Sequence, residues 1–363
     1  MISLLVVSAV DRVARECGVM SLLMGLPGAV LVRHDLTADD DGGEGGVIRR
    51  IVSDDSGIVE DETAHLDHAC LSCTARQDIV PTLRRLAEDG RWRTVVLAPP
   101  LAAAPEPIVW QIVDAIQHDA LPVHLASVLS IVDEERIVED AFGDDLLAER
   151  GLGLGDRDAR SVAEALADQM DYSDLVCTLD PPDGVHASAM QHLVSPTRHV
   201  TMLSAVNPEA LLRGKHDLRA AKRRLDPVRA PAVEAEDGDG FWSCELVSDR
   251  PFHPERLMND LELLGGGAVR VRGCFQLPTR PSMVCALHAA GSQVALGSAG
   301  LWGHRRPQTR LVIQGQGSGT RGRVTRAFTD LLMTDFEMHD LHRWRGVDDL
   351  LDDWFGPQTR EAG

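Results

Sequence analysis

The 363-residue chain carries 36 Lys and Arg against 56 Asp and Glu, a formal charge of −20, and its 44% hydrophobic and 25% charged content is that of an ordinary globular protein. That length supports about two domains of roughly 150 residues each. The acidity argues against a general nucleic-acid binder and against DNA in particular, and no stretch nears the ~20 apolar residues of a membrane span. Seven cysteines, scattered and odd in number, do not make the framework of a small secreted domain and point to a reducing compartment. Because the apolar residues 1–7 lack a basic leader, the expected location is the cytoplasm.

The first expected strand is 4–8, followed by helical spacing over 11–24 and an apolar run at 29–32 that meets Arg33-His34-Asp35. Residues 38–46, rich in Asp and Gly, read as a mobile loop. Helical periodicity covers 79–89, a buried strand at 94–98 ends at Pro99-Pro100, and 121–132 and 174–178 supply further strands. This alternation predicts a mainly parallel sheet covered by helices up to about residue 225. The segment 226–240, rich in Pro, Ala, Asp, Glu and Gly, is the expected linker, and beyond it come short strands with helices near 254–264 and 323–333. Basic residues are segregated: seven stand against two acids between 213 and 229, and ten arginines against four acids between 251 and 330. Such stretches are either solvated faces or contacts to RNA or an acidic partner.

The sharpest local signal is His68-Ala69-Cys70-Leu71-Ser72-Cys73. Closely spaced thiolates chelate a borderline ion such as zinc, and imidazole is an acceptable further ligand, so Cys70, Cys73 and His68 are the candidate metal ligands. Two thiols do not close a tetrahedron, which leaves His65, Asp67, a water or a partner protein as further candidates. A redox pair, or two ordinary buried cysteines, are the alternatives.

Three stretches, Arg250-Pro251-Phe252-His253-Pro254-Glu255-Arg256-Leu257, then 269–281 with Pro278-Thr279-Arg280-Pro281, then Ala299-Gly300-Leu301-Trp302, resemble the C-terminal domain of CobW-type proteins. Residues 332–338 resemble that domain's late helix boundary. The N-terminal half is similar to the same family in order and spacing. There a C-x-C-C motif follows the second sheet region, here Cys70-Leu71-Ser72-Cys73 with Ser72 at the middle thiol, and Arg76-Gln77-Asp78-Ile79 continues the pattern. The resemblance implies a degenerate P-loop GTPase-like α/β domain with a mainly parallel sheet over 1–225, a linker at 226–240, a smaller α+β CobW C-terminal domain over 241–356 and a flexible tail at 357–363.

The nucleotide-binding elements of that family are eroded here. A phosphate loop needs glycines for close backbone approach, a lysine and a magnesium-binding hydroxyl. The first strand instead runs into Ser8-Ala9-Val10-Asp11-Arg12-Val13-Ala14-Arg15, where Asp11 turns negative charge toward phosphate and only Arg12 or Arg15 offers a substitute cation. Thr178-Leu179-Asp180 lacks the lysine of the guanine-reading Asn-Lys-x-Asp, and Ala98-Pro99-Pro100-Leu101-Ala102 lacks the expected acid and hydroxyls. Efficient GTP hydrolysis is not expected, no catalytic residue is assigned, and zinc rather than GTP is the expected ligand. Within the family, this mixture is similar to an actinobacterial branch of ribosome hibernation factor-recruiting proteins. That resemblance implies a protein with regulatory zinc at Cys70 and Cys73 that binds the small ribosomal subunit and recruits a hibernation-promoting factor under zinc limitation, its basic patches meeting ribosomal RNA. The alternative is a CobW-type zinc metallochaperone with residual GTP use. His253 is expected to be structural or a partner contact, and Trp242, Trp302, Trp344 and Trp354 to pack the second domain.

Overall fold

Apolar runs alternating with amphipathic stretches fold, in the computed structural model, as β1 (Ile2–Ser8), α1 (Arg12–Gly25), β2 (Val30–Ala38), β3 (Gly46–Asp54), β4 (Gly57–Leu66), α2 (Leu71–Thr74), a π-helical turn (Ala75–Ile79), α3 (Val80–Asp89), β5 (Thr94–Ala98), α4 (Pro105–His118), β6 (Val123–Val132), α5 (Ile137–Phe142), α6 (Val162–Tyr172), β7 (Leu175–Thr178), α7 (Gly184–Leu193), β8 (Val200–Met202), α8 (Pro208–Leu212) and α9 (Leu218–Leu225). There follow β9 (Ala235–Glu236), β10 (Phe241–Ser248), α10 (Pro254–Gly265), β11 (Val269–Phe275), β12 (Met283–Ala290), β13 (Gln293–Leu301), β14 (Thr309–Gln316), α11 (Ser318–Leu331), α12 (Asp335–His339) and α13 (Asp352–Phe355). The structure describes residues 1–38, 45–66, 70–153, 158–194, 200–232, 235–236, 239–344 and 347–357. The chain forms two units, one mainly from residues up to 222 and one mainly from 223 onward, the second also taking in 141–144 and 188–194.

The first unit holds an eight-stranded sheet in the order β4-β3-β2-β5-β1-β6-β7-β8. β2, β5, β1, β6, β7 and β8 run parallel, while β3 and β4 form an antiparallel hairpin at one edge. β1 is almost wholly buried, as a strand covered by helices on both faces must be. Leu5, Val7, Leu22, Val96 and Ile131 meet in the core under α1. Gly18 permits that approach, since a Cβ there would lie 2.6 Å from Ile131 Cγ1. The hairpin is the departure from the sequence expectation. β2 continues through Arg33-His34-Asp35 to Ala38, and most of the expected loop at 38–46 lies outside the described residues. β4 is exposed almost throughout, and its consecutive acids Glu60-Asp61-Glu62 leave no buried-strand signature.

The second unit is a six-stranded sheet in the order β13-β12-β11-β14-β10-β9, antiparallel throughout. Its motifs are fastenings. Phe252 is fully buried against Phe275 and Phe328, with ring centroids 5.4 and 5.6 Å away. His253 caps α10 by accepting the Arg256 amide proton, which is the structural role expected for it. Arg256 donates both guanidinium arms to Glu337 at 2.9 Å, and Glu337 completes a capping box with Thr334 at the start of α12. Arg280, buried, meets Asp349 at 2.9 Å, where Thr279 also donates at 2.6 Å. Trp242 and Trp302 are buried and Trp344 stands edge-on to His253 at 4.9 Å, but Trp354 is 41% exposed and does not pack as expected, lying in a one-turn helix whose buried face is taken by Phe355. Among the described residues, no helix is long and apolar enough to cross a membrane.

The Arg256 hydrogen bond is the chief cause that draws the Glu337 carboxyl down to about 2 from the usual 4.5. A carboxylate with a depressed folded value stabilises the fold above its unfolded value and loses that contribution as pH falls through the folded one. Arg256→Ala should therefore cost about 2 kcal/mol at neutral pH in urea denaturation, with the two stability curves converging as pH drops from 4.5 toward about 2.

Candidate thiol site

α2, the next described element after the edge strand β4, has Cys70 as its N-cap, in extended backbone (φ −127°, ψ 149°). The Cys70 sulfur accepts the backbone N–H of Cys73 at 3.2 Å, and the Cys70 carbonyl accepts the Thr74 amide and hydroxyl protons at 2.9 and 3.0 Å. One helical turn thus joins the two cysteines, with the Cys70 sulfur against the Cys73 backbone. Cys70 is half-buried, Cys73 is buried and Ser72 is exposed. Both thiols are free of disulfides. His68 and Asp67 lie outside the described residues, and His65, the last but one residue of β4, is exposed. Among the described residues, no three His, Cys, Asp or Glu side chains converge as a metal site. The donor set fits zinc as two sulfurs of a tetrahedron, with the remaining ligands to come from elsewhere.

The helix does not continue smoothly from the thiols. Residues Ala75–Ile79 form a π-helical turn, a rare geometry that recurs at functional sites. That turn places Asp78, 6% exposed, against the sheet. His34 on β2, Arg50 on β3 and Glu62 on β4 stand in one cross-strand row. His34 Nε2 is 2.7 Å from one Asp78 oxygen and Arg50 donates to the other at 2.5 Å. Arg50 also pairs with Glu60 and Glu62, and Arg85 on α3 grips Glu60 with two hydrogen bonds at 2.5 and 2.7 Å. Burial opposes ionisation of Asp78, but the His34 hydrogen bond and the charges of His34 and Arg50 outweigh it, so the carboxyl lies below its usual range. Only a weak sequence signal marked this network: two basic residues and a helix-face aspartate in otherwise apolar surroundings.

At the sheet crest, where a phosphate loop would lie, only Ala9, Val10 and Asp11 separate β1 from α1. The Asp11 carboxylate caps α1 by accepting the Ala14 amide proton at 2.9 Å, so the helix N-terminus faces the protein's own anion. Ala102 in left-handed backbone (φ 56°) donates to the Ala9 carbonyl at 3.0 Å, and buried Gln169 donates to Ala9 and Ala103 at 3.3 and 3.0 Å. Arg15, one of two residues considered as a substitute cation, is 1% exposed and committed to Asp35 at 2.9 Å and Glu16 at 3.3 Å. Arg12 is exposed, and the Asp180 amide donates to Glu134 at 3.0 Å.

The remaining cysteines separate cleanly by environment. Burial pushes the Cys177 thiol up to about 12 and Cys274 up to about 11, and raises Cys285 further. Cys17 is exposed. Iodoacetamide labelling of the native protein followed by peptide mass spectrometry should therefore modify Cys17 and Cys70 first and leave Cys177, Cys274 and Cys285 untouched until the chain unfolds. Labelling of those three at the Cys17 rate in native protein would contradict this placement.

Residues 40–200 match the CobW/HypB/UreG, nucleotide-binding domain, and residues 241–332 match the cobalamin synthesis protein cobW C-terminal domain. The chain is 28% identical over 394 residues to the zinc chaperone Rv0106 of Mycobacterium tuberculosis, covering 94% of this chain and 92% of that protein. It is 25% identical over 297 residues to the zinc chaperone CobW of a Sinorhizobium species, covering 75% and 81%. With the zinc-regulated GTPase metalloprotein activator 1 of Dictyostelium discoideum it shares 24% over 255 residues, covering 65% and 54%. Two regions of the chain thus match, in order, the CobW/HypB/UreG nucleotide-binding domain and the CobW C-terminal domain.

Proposed function

We propose that this protein binds zinc through Cys70 and Cys73 and passes it on, as a zinc metallochaperone of the CobW type, in a reducing cytoplasm where free thiols persist. The observation that carries the reading is the helix-capping pair itself: two cysteines one turn apart, neither in a disulfide, one half-buried and one buried. A site that supplies two sulfurs and takes the rest from His68, water or a client can exchange ligands stepwise, which transfer requires and a closed four-ligand site resists. The names borne by the relatives, two of them zinc chaperones, support the same reading. Zinc here is cargo. The three-residue turn after β1, capped by Asp11, leaves no backbone cradle for phosphate, so we place no GTP-driven step in the handover.

A second, finer reading keeps the same thiols and makes zinc occupancy regulatory: the zinc-free form would bind the small ribosomal subunit and recruit a hibernation-promoting factor. What favours it is the closed crest together with Ser72 in the place of a third thiol and the basic stretch on α9, whose Lys222, Arg223 and Arg224 suit ribosomal RNA. A ligand shifts such an equilibrium only through different affinities for the two states.

Purified wild-type protein should take up one zinc in competition with a chromophoric chelator, and Cys70→Ser/Cys73→Ser should lose it. A fluorescent GTP analogue should give no saturable signal with either. Undiminished zinc binding by the double variant would remove the thiol reading. Sedimentation of lysates from zinc-replete and zinc-limited cells separates the two versions: co-migration with small subunits only at low zinc selects the regulatory one, and absence from ribosomes in both selects the chaperone.

A further inference from the structure

The π-helical turn between the thiols and α3 needs a cause. An α-helix advances about 100° per residue, so one residue added by a π turn rotates everything before it by about that angle relative to everything after it. Downstream, Ile79, Leu83 and Leu86 are fully buried and fix α3 on the sheet. Upstream, Thr74 and Ala75 are fully buried and Cys73 is 8% exposed. The relative rotation of the thiol turn and α3 is therefore set within Ala75–Ile79, where Asp78 makes its two bonds to His34 and Arg50. A straight α-helical path would turn residue 78 relative to the thiols and could not satisfy both ends at once.

We propose that Asp78 is the positioning residue of the Cys70–Cys73 pair: its bonds to His34 and Arg50 hold the π register, and that register sets the direction in which the two sulfurs face. Asp78 takes no part in metal binding. It acts from five residues beyond Cys73, through the helix backbone, with Glu60, Glu62 and Arg85 keeping Arg50 in place. The same bonds tie the thiols to β2 and to the β3–β4 hairpin, so metal uptake and the order of that edge of the sheet are coupled, each biasing the other. The inference rests on the reading of Cys70 and Cys73 as metal ligands, and the experiment keeps the two apart.

The test is a cobalt titration of the full-length wild type, Asp78→Asn, Arg50→Gln and Cys70→Ser/Cys73→Ser, following the thiolate-to-cobalt charge-transfer band for affinity and the visible d–d bands for geometry. Iodoacetamide labelling rates at Cys70 and Cys73 are measured on the same metal-free samples. Asp78→Asn should weaken cobalt binding on the order of tenfold, the scale of supporting residues behind a metal ligand, shift the d–d bands and raise the Cys73 labelling rate. Arg50→Gln, which removes one of the two Asp78 partners and leaves the carboxylate in place, should move all three in the same direction and serves if Asp78→Asn does not fold. Leu129→Ala, a core truncation away from the thiols, controls for lost stability and should leave the spectrum unchanged. Wild-type affinity, spectrum and Cys73 labelling in both network variants would overturn the proposal. If the wild type itself shows no thiolate band, the zinc reading fails, and the labelling rates alone decide whether Asp78 positions the thiols.

Discussion

Burying a carboxylate is costly unless the protein supplies its counter-charges and hydrogen bonds, and around Asp78 the elements of this half of the molecule are arranged to do so. His34 must sit on β2 opposite Arg50 on β3, Arg50 opposite Glu62 on β4, and the helix must depart from α geometry for the carboxylate to arrive between them. The hairpin joins the sheet through the β2–β3 ladder and the buried Ile48, Ile51 and Val52 of β3, and the ionic row adds a tie from α3 to β4, which buries little of its own surface. The thiols sit one turn above the same anchor. Their geometry therefore inherits its precision from an ion-pair network that never touches a sulfur.

The opposite situation holds at the sheet crest. There the fold of a nucleotide-binding domain persists while the space between β1 and α1 is closed by a short turn, the Ala102 amide and the Gln169 side chain. Of the two arginines there, Arg12 is exposed, while Arg15 lies beneath the surface and answers Asp35 and Glu16. The parallel sheet needs only its own apolar strands to form, so a phosphate loop can erode without loss of the fold.

The alternation of apolar strands and amphipathic helices made the parallel sheet legible in the amino-acid sequence: β5 coincides with its run Thr94-Val95-Val96-Leu97-Ala98, while β1 begins two residues earlier and β7 one residue later than expected. The exposed hairpin was not legible, because a strand that buries only Leu66 has no hydrophobic pattern to read. Arg250-Pro251-Phe252-His253-Pro254 carried a recognisable motif whose physical content appears only in three dimensions, as a buried ring, a helix cap and an approach to Glu337 eighty residues away along the chain. The C-x-x-C pair was visible as two letters. Its partner Asp78 was not, since a single aspartate on an amphipathic helix ordinarily faces water, and only the π turn brings it to His34 and Arg50.

The central claim is that Cys70 and Cys73 together hold zinc. X-ray absorption at the zinc edge on the zinc-loaded protein tests it most directly, because thiolate sulfur and nitrogen or oxygen scatter at distinct distances. The account predicts two sulfur neighbours at about 2.3 Å, with lighter atoms near 2.0–2.1 Å completing a tetrahedral shell, and no sulfur in Cys70→Ser/Cys73→Ser. A shell of nitrogen and oxygen alone in the wild type would contradict it.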